Sequence, residues 1–241
     1  MFQGNVLCVT RSEAIRYAAR YLSERGIPVT EKCAPDVTDV LLPVPSFSAG
    51  DEYLAHLLTQ LPDDVILYGG NMHSALLEGY RYVDLLQDPY YLADNAAITA
   101  ECALTILKRQ FGAELKGKRV LVIGWGRIGK CLCQQLRDQG ASVSAAARKI
   151  PDLAMIHALG HDSIPISDVP GKTEAFDIIL NTVPSLLFPG IQTREDCIIM
   201  ELASRPGMTG PKIYDGRGLP GKIAPMKSGN LIAGTFLRLA K

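Results

Sequence analysis

The chain has 241 residues, enough for one large or two modest domains, and its 25 basic and 25 acidic side chains cancel to a formal net charge of zero. This balance provides no overall field for nucleic acid or for an anionic membrane surface, so we expect a small-molecule partner. Hydrophobic residues make up 47% of the sequence, yet no apolar run reaches the roughly 18 positions that a bilayer span needs. Because the N-terminus also lacks the basic start of a signal peptide, we expect a soluble, cytoplasmic protein.

Short apolar runs alternate with segments of helical period in the first part of the chain, which is typical of a mostly parallel α/β sheet. The segment 11–25 places Ile15, Ala18 and Leu22 on one face and ends at Gly26, a residue suited to a left-handed helix cap. We predict a smaller, flavodoxin-like α/β domain over residues 1–94, completed by a C-terminal helix over 224–241. Its predicted strands are 5–10, 28–32, 39–43, 65–68 and 81–84.

A longer helical pattern follows over residues 89–111, with Ala97, Ala100, Leu104 and Leu107 spaced for burial. This pattern predicts a connector helix between two domains. A second β-α series then begins near Lys118, and we predict a Rossmann-type, doubly wound parallel sheet for a domain over residues 95–223. Its predicted strands are 119–123, 142–146, 176–181, 197–202 and 212–214. Residues 218–221 are predicted to form a hinge-like loop.

A glycine-rich loop at 124–129 follows an apolar strand and opens an amphipathic helix. Gly124 permits a tight turn, Gly126 lets the backbone approach a pyrophosphate, and Gly129 lets the helix pack closely on the strand. The N-terminus of the helix would offer N–H groups and partial positive charge to the phosphates. The alternative is a tight turn without a ligand. The predicted dinucleotide-binding residues are Gly124, Trp125, Gly126, Arg127, Ile128 and Gly129.

Two cations, Arg148 and Lys149, follow the next strand, where an NAD site normally has an acidic residue against the adenosine ribose. An arginine can hold a 2′-phosphate through two hydrogen bonds and a lysine adds charge, so the sequence favours NADP over NAD. The alternative is a solvated basic turn. Thr182, Val183 and Pro184 follow a later strand and are predicted to line the nicotinamide ribose and ring, unless they form a plain β-α turn.

The cysteines and histidines predict neither a metal centre nor a hydrolytic triad. The six cysteines lie mostly in apolar runs, which predicts reduced core thiols. Cys131 and Cys133 are two positions apart on a predicted helix and so point to different sides. His157 and His161 are separated by Gly160, which should end the helix before a zinc site can form. We predict no metal.

Several sequence blocks resemble one known family. The blocks are 122–129, Asn181-Thr-Val-Pro-Ser185 and Glu201-Leu-Ala-Ser-Arg-Pro-Gly207, and they are similar to the A-subunit of dipicolinate synthase. Residues 218–225 with Ser228-Gly229, and Asn95 with Thr99-Ala-Glu101, also resemble the closing motif and the connector helix of that family. The resemblance covers about residues 95–241, and the first domain is expected to be shorter than in the family. More distantly, the two-domain architecture is similar to that of D-2-hydroxyacid dehydrogenases.

The resemblance implies NADP-dependent oxidation of dihydrodipicolinate, or of its hydroxylated tetrahydro precursor, to the pyridine dicarboxylate found in spores. A heterocyclic dicarboxylate is therefore the expected small-molecule partner. A second, flavoprotein-like subunit is left open, and we expect a homo-oligomer.

Such a reaction needs groups that clamp carboxylates and a base for the departing proton. Arg205 follows the strand predicted over 197–202, at the edge where ligands bind such sheets, and is the first choice for holding a carboxylate, with a surface ion pair as the alternative. Ser204, Pro206 and Gly207 would orient the ligand. Glu101 is the candidate base, with a solvated helix carboxylate as the alternative.

Three further residues complete the predicted substrate site. Asn95 and Thr99 could face the substrate from the connector helix, and Lys227 could bind the second carboxylate or lie in solvent.

Two other functions compete with this enzyme. One is a cofactor-holding subunit, or a divergent paralogue, that has lost its own turnover. The other is a D-2-hydroxyacid dehydrogenase, which needs a histidine paired with a carboxylate as its acid-base catalyst. No suitably placed histidine follows Ser185, so this last alternative ranks below the others.

Overall fold

The structure is a computed structural model that describes residues 4–47 and 52–240. The chain divides into two compact units: the first comprises Met1–Asn95 and Pro220–Lys241, and the second comprises Ala96–Leu219. The helices are α1 Glu13–Ser23, α2 Glu52–Leu58, α3 Pro89–Arg109, α4 Arg127–Asp138, α5 Ile150–Ala158, α6 Leu219–Ile223 and α7 Pro225–Leu239. The strands are β1 Val6–Cys8, β2 Val29–Thr30, β3 Asp39–Leu41, β4 Ile66–Gly69, β5 Arg81–Asp84, β6 Arg119–Ile123, β7 Ser142–Ala147, β8 Asp162–Pro165, β9 Ile178–Asn181, β10 Ile198–Glu201 and β11 Ile213–Asp215.

The first unit is built on a five-stranded parallel sheet in the order β2-β1-β3-β4-β5. This is the flavodoxin-like order, in which the strand sequence reverses between β1 and β3. The sheet core is apolar: Val6 and Leu7 on β1, and Val40 and Leu41 on the neighbouring strand β3, are each almost fully buried.

Two helices of the first unit pack closely on each other. The Ser12 hydroxyl caps α1 by accepting the Ile15 N–H at 3.3 Å, and Gly26 takes the left-handed conformation just beyond the helix, with φ of 74°. Gly229 on α7 meets α1 so closely that a Cβ there would lie 2.3 Å from the Ala14 carbonyl oxygen. Phe236 of α7 reaches the sheet and packs edge-on against Tyr68 at 4.8 Å.

The second unit is built on a six-stranded parallel sheet in the order β11-β10-β9-β6-β7-β8. Chain order reverses between β6 and β9, which is the topology of a doubly wound Rossmann sheet. The predicted fold class is therefore confirmed. Ligands of such sheets bind outside the carboxyl ends of the strands, next to this reversal.

The sequence missed or misplaced several elements. Helix α2 and strand β8 were not predicted, because α2 is only seven residues long and β8 carries the polar, proline-ended sequence Asp-Ser-Ile-Pro. The hinge-like loop predicted at 218–221 was wrong from Leu219 onward, where the short helix α6 begins. Several strands are shorter than expected, such as β1, which ends at Cys8 rather than at residue 10. Within the described residues, no helix is both long and apolar enough to cross a membrane.

Candidate functional site

The glycine loop joins the carboxyl end of β6 to the N-terminus of α4, beside the strand reversal. The Gly124 N–H bonds to the Ala146 carbonyl oxygen at 2.9 Å, which ties the loop to β7. Gly126 is the N-cap of α4, and no side chain caps this helix. The first-turn N–H groups of α4 are therefore directed to a ligand or to water rather than to a capping side chain. Arg127 is exposed on the first turn and Ile128 is half-buried.

Glycine is found at positions 124, 126 and 129 of the loop for different structural reasons. Gly124 has φ of 104°, and a Cβ there would lie 2.5 Å from the Thr182 Oγ1. A Cβ on Gly129 would lie only 2.0 Å from the Gly124 carbonyl oxygen, so only glycine lets α4 pack this closely. A Cβ on Gly126 would meet nothing within 4 Å. The protein fold thus requires Gly124 and Gly129, whereas Gly126 leaves open space in the loop that fits a phosphate.

Trp125, from the same loop, is packed among protein side chains. It is only 9% exposed, its ring centroid lies 6.4 Å from that of His161, and the Lys130 ammonium lies 5.9 Å from the indole centroid. Burial lowers the pKa of His161 below its usual 6.5, and the positive charge of the neighbouring Arg137 lowers it further. The pocket around the indole has a volume of about 330 Å³ and is lined by Trp125, Lys130, Gln134, Met155, Leu159 and His161.

Arg148 and Lys149 lie directly after β7 and are both exposed. Among the carboxylates of the described residues, none forms an ion pair with either cation. Lys149 is also the N-cap residue of α5 and provides no side-chain cap. Within the described part of the chain, two cations without a carboxylate partner therefore lie at the end of the strand next to the glycine loop.

The segment after β9 contacts the glycine loop directly. The Thr182 N–H and Oγ1 both donate to the Ile123 carbonyl oxygen at 2.9 Å, which joins the ends of β9 and β6. Val183 lies against Gly124, since a Cβ there would be 2.8 Å from the Val183 Cγ2. Thr182 and Val183 are half-buried and Pro184 is exposed. The structure thus brings these three predicted residues to the glycine loop.

A buried carboxylate that the sequence reasoning did not select lies beside this segment. Glu201 ends β10, is 3% exposed, and accepts hydrogen bonds from the Asn181 side chain at 2.9 and 3.0 Å. The backbone N–H groups of Ala203, Gly207 and Met208 also donate to it. A glutamate that ends the otherwise apolar run Ile-Ile-Met was the available signal, because buried charges need dedicated partners.

The predicted carboxylate-binding loop stands just beyond Glu201. Ser204, Arg205 and Pro206 are exposed, and Gly207 is buried. No carboxylate in the described part of the chain pairs with Arg205, so the surface ion pair considered as an alternative is not formed there. The Arg205 guanidinium therefore lies at the carboxyl edge of the sheet with no carboxylate partner among residues 4–47 and 52–240.

The remaining predicted residues lie on two helices. Asn95 and Thr99 are one turn apart on α3 and share a face, with Asn95 half-buried and Thr99 only 6% exposed. Glu101 is exposed and two positions beyond Thr99, so it points to a different side of α3. Asn95 is the last residue of the first unit, and Thr99 and Glu101 belong to the second. Lys227 is exposed on α7 in the first unit.

Four of the six cysteines are buried, and Cys33 and Cys131 are partly exposed. Burial raises the pKa of the Cys133 thiol to about 12 and also raises that of Cys131, so neither is a ready nucleophile. No cysteine among the described residues forms a disulfide. In residues 4–47 and 52–240 there is no group of three or more His, Cys, Asp or Glu side chains that could hold a metal ion.

Comparison with known proteins places the chain among dehydrogenase-like folds. The dipicolinate synthase A-subunit of Bacillus subtilis (strain 168) is 26% identical over 199 residues, which cover 76% of this chain and 67% of that protein. The crystal structure of the dipicolinate synthase A-subunit from Bacillus halodurans superposes with a TM-score of 0.82 at 22% identity, covering 98% of this chain and 97% of that one. No family profile matches the chain.

A more distant structural neighbour is the transhydrogenase of Sinorhizobium meliloti, with a TM-score of 0.73 at 16% identity over 90% of this chain and 77% of that one. The resemblance to the A-subunit of dipicolinate synthase is confirmed, and the chain is similar to proteins named as dehydrogenases and reductases. The shorter first domain expected from the resemblance stays a prediction.

Proposed function

We propose that this protein is an NADP-dependent dehydrogenase that oxidises dihydrodipicolinate to dipicolinate. One observation carries the proposal: helix α4, which begins at the glycine loop and has no side-chain cap, lies at the same sheet edge as two cations, Arg148 and Lys149. Neither cation has a carboxylate partner among the described residues. Similarity to the A-subunit of dipicolinate synthase supports the choice of substrate.

The residues of the second unit fit a dinucleotide. The N-terminus of α4 faces the place where a pyrophosphate would lie, and the open space beside Gly126 lets the phosphate oxygens approach the backbone. Arg148 and Lys149 would hold a 2′-phosphate, because a planar guanidinium and an ammonium complement that dianion. No carboxylate follows β7 at this position to select the free ribose hydroxyl of NAD.

Bound NADP would supply the hydride acceptor, so that oxidation of dihydrodipicolinate would remove one hydride and one proton from the ring and leave the aromatic dicarboxylate. The protein must therefore hold a dicarboxylate and accept one proton. Arg205 is the proposed carboxylate ligand because its guanidinium is exposed and unpaired, and Glu101, exposed on α3, is the proposed proton acceptor.

Nucleotide binding can be tested through Trp125, the only tryptophan of the chain. Indole emission overlaps the absorption of reduced nicotinamide, so bound NADPH should quench Trp125 by energy transfer. We expect NADPH to bind at least about tenfold more tightly than NADH, and Arg148→Ala to remove that preference. Arg109→Ala, an exposed arginine at the end of α3, is the matched control and should change neither affinity.

Turnover is tested separately by supplying dihydrodipicolinate and NADP and following the pyridine dicarboxylate product. Product formation that is lost in Arg205→Ala supports the enzyme. Selective NADPH binding without product would instead identify a cofactor-holding subunit. Equal affinity for NADPH and NADH would contradict the cofactor assignment.

A further inference from the structure

A single buried carboxylate, Glu201, accepts three backbone hydrogen bonds from one loop of the second unit. Glu201 accepts the Ala203 N–H at 3.0 Å, the Gly207 N–H at 2.8 Å and the Met208 N–H at 3.2 Å. Its two oxygens also accept from the Asn181 Nδ2 at 2.9 and 3.0 Å. The charge of Glu201 is thus fully engaged in hydrogen bonds inside the unit, as a buried carboxylate requires.

Asn181 extends this arrangement to the loop after β9. Its Nδ2 donates to the Val183 carbonyl oxygen at 3.1 Å, and its Oδ1 accepts the Val183 N–H at 3.1 Å. An amide can make both of these bonds and still donate to Glu201, whereas an aspartate at the same place would repel the carboxylate. The pair therefore holds the end of β9 and the end of β10 in one register.

Gly207 joins the two loops from the other side. Its carbonyl oxygen accepts the Leu187 N–H at 2.9 Å and the Phe188 N–H at 3.2 Å. A Cβ on Gly207 would lie 2.3 Å from the Val183 carbonyl oxygen and 2.5 Å from the Asn181 Nδ2, so only glycine allows this approach. The base of the segment 203–208, which we term the carboxylate loop, is clamped.

The tip of the carboxylate loop is presented outward by the same clamp. Ser204 and Arg205 are exposed, whereas Ala203 and Gly207 on either side of the tip are buried. The clamp is also continuous with the glycine loop, because Val183 packs against Gly124. A rigid base with an exposed cationic tip is the arrangement that fixes a ligand carboxylate at a set distance from a bound nucleotide.

We propose that Glu201 is a positioning residue that, together with Asn181, fixes the carboxylate loop so that Ser204 and Arg205 hold one carboxylate of a heteroaromatic dicarboxylate. This inference rests on the proposed function and extends it to the residue behind the site. Glu201 acts through the loop and not on the substrate, because it is buried and its oxygens are occupied by loop donors.

The test compares Glu201→Gln and Gly207→Ala with the wild-type chain. Glutamine keeps the size of the side chain but turns an N–H₂ group toward N–H donors of the loop. Alanine at 207 displaces the loop without touching the carboxylate, so it remains informative if Glu201→Gln does not fold. Glu195→Gln, which changes an exposed glutamate of the same unit, is the matched control.

Three quantities are measured on the full chain: hydrogen exchange of the Ala203, Gly207 and Met208 amides, the Kd for NADPH, and the Kd for pyridine-2,6-dicarboxylate with NADPH present. In both variants we expect amide exchange and the dicarboxylate Kd to rise about tenfold or more, with the NADPH Kd changing less than about threefold. Glu195→Gln should change none of them. A purely structural role would instead weaken both ligands together.

The outcomes separate this inference from the proposed function. If the wild-type chain binds the dicarboxylate but the folded variants bind it equally well, the positioning role is wrong and the proposed function stands. If NADPH and dicarboxylate affinities fall in parallel, the positioning role is also wrong. If the wild-type chain does not bind the dicarboxylate, the proposed substrate is wrong. The proposal that Glu201 positions Ser204 and Arg205 for that ligand is then wrong as well.

Discussion

The guanidinium of Arg238 contacts both carboxylate oxygens of Asp88, at 2.6 and 2.7 Å. The two residues are 150 positions apart in sequence, and both belong to the first unit. Asp88 also caps α3, because its Oδ1 accepts the Tyr91 N–H at 2.7 Å. This bidentate pair therefore fixes the C-terminal helix α7 to the start of α3.

Removing the arginine should destabilise the first unit. The Asp88 side chain is only 8% exposed, so Arg238→Ala leaves a nearly buried carboxylate without its cation, and we expect a loss of about 2 kcal/mol in the free energy of unfolding. Denaturant unfolding measures this. The control is Arg16→Ala, which removes an exposed i,i+3 pair with Glu13 and should cost less than about 0.5 kcal/mol. Equal losses in the two variants would contradict the expectation.

The same pair predicts a pH dependence. The hydrogen bond from Arg238 lowers the pKa of Asp88 from 3.8 to about 2. A carboxyl whose pKa is lower in the folded state contributes stability above its unfolded pKa, and this contribution is lost as the pH falls through the folded pKa. The difference in unfolding free energy between wild type and Arg238→Ala should therefore be constant above about pH 5 and shrink between about pH 4 and pH 2. A difference that is unchanged at the lowest pH would show that the pair is not its source.

The fluorescence of Trp125 should report the protonation of His161. Burial lowers the pKa of this imidazole, and its ring lies edge-on to the indole. Because protonated imidazole quenches indole emission, we expect the emission to fall with a midpoint below 6.5 and the fall to disappear in His161→Gln.

Acidification should also lower the free energy of unfolding, because the pKa of His161 is lower in the folded state than in the unfolded state. The contribution of the neutral, buried imidazole is present above the unfolded pKa and is lost as the pH falls through the folded pKa. His157→Gln, at an exposed position of α5, is the control and should titrate like the wild type. A midpoint above 6.5 would contradict the burial of His161.

The glycine loop was predictable from sequence because its features are local. A strand, three glycines and a helix lie within one short stretch, and the contact that requires Gly129 is with the carbonyl oxygen of Gly124 in the same loop. The long helix α3 and most strands of the second unit were likewise predictable, since their apolar periodicity is strong.

The clamp around Glu201 was not predictable, because it joins residues about 20 positions apart that meet only through the parallel pairing of β9 and β10. Its donors are mostly backbone N–H groups, which carry no sequence signal. Short elements such as α2 and β8 were not predicted for a different reason: their positions depend on tertiary packing more than on their own composition.

Gly129 and Gly126, both at the start of α4, should have different roles: we expect Gly129 to be needed for folding and Gly126 for ligand binding. Gly129→Ala places a Cβ only 2.0 Å from the Gly124 carbonyl oxygen, so we expect overpacking to cost about 3 kcal/mol or more in unfolding free energy. Thermal or denaturant unfolding measures the loss. A stable Gly129→Ala protein would show that α4 can move away from β6.

Gly126→Ala should do the opposite. Its φ and ψ of −80° and −170° suit alanine, and the added Cβ meets no protein atom within 4 Å, so the free energy of unfolding should change by less than about 0.5 kcal/mol. The methyl group would, however, occupy the space through which a pyrophosphate approaches the backbone, and we expect the NADPH Kd to rise about tenfold or more. Calorimetric titration of NADPH measures this, with thermal unfolding as the internal control. Unchanged affinity in a folded Gly126→Ala protein would mean that phosphates do not bind at this loop.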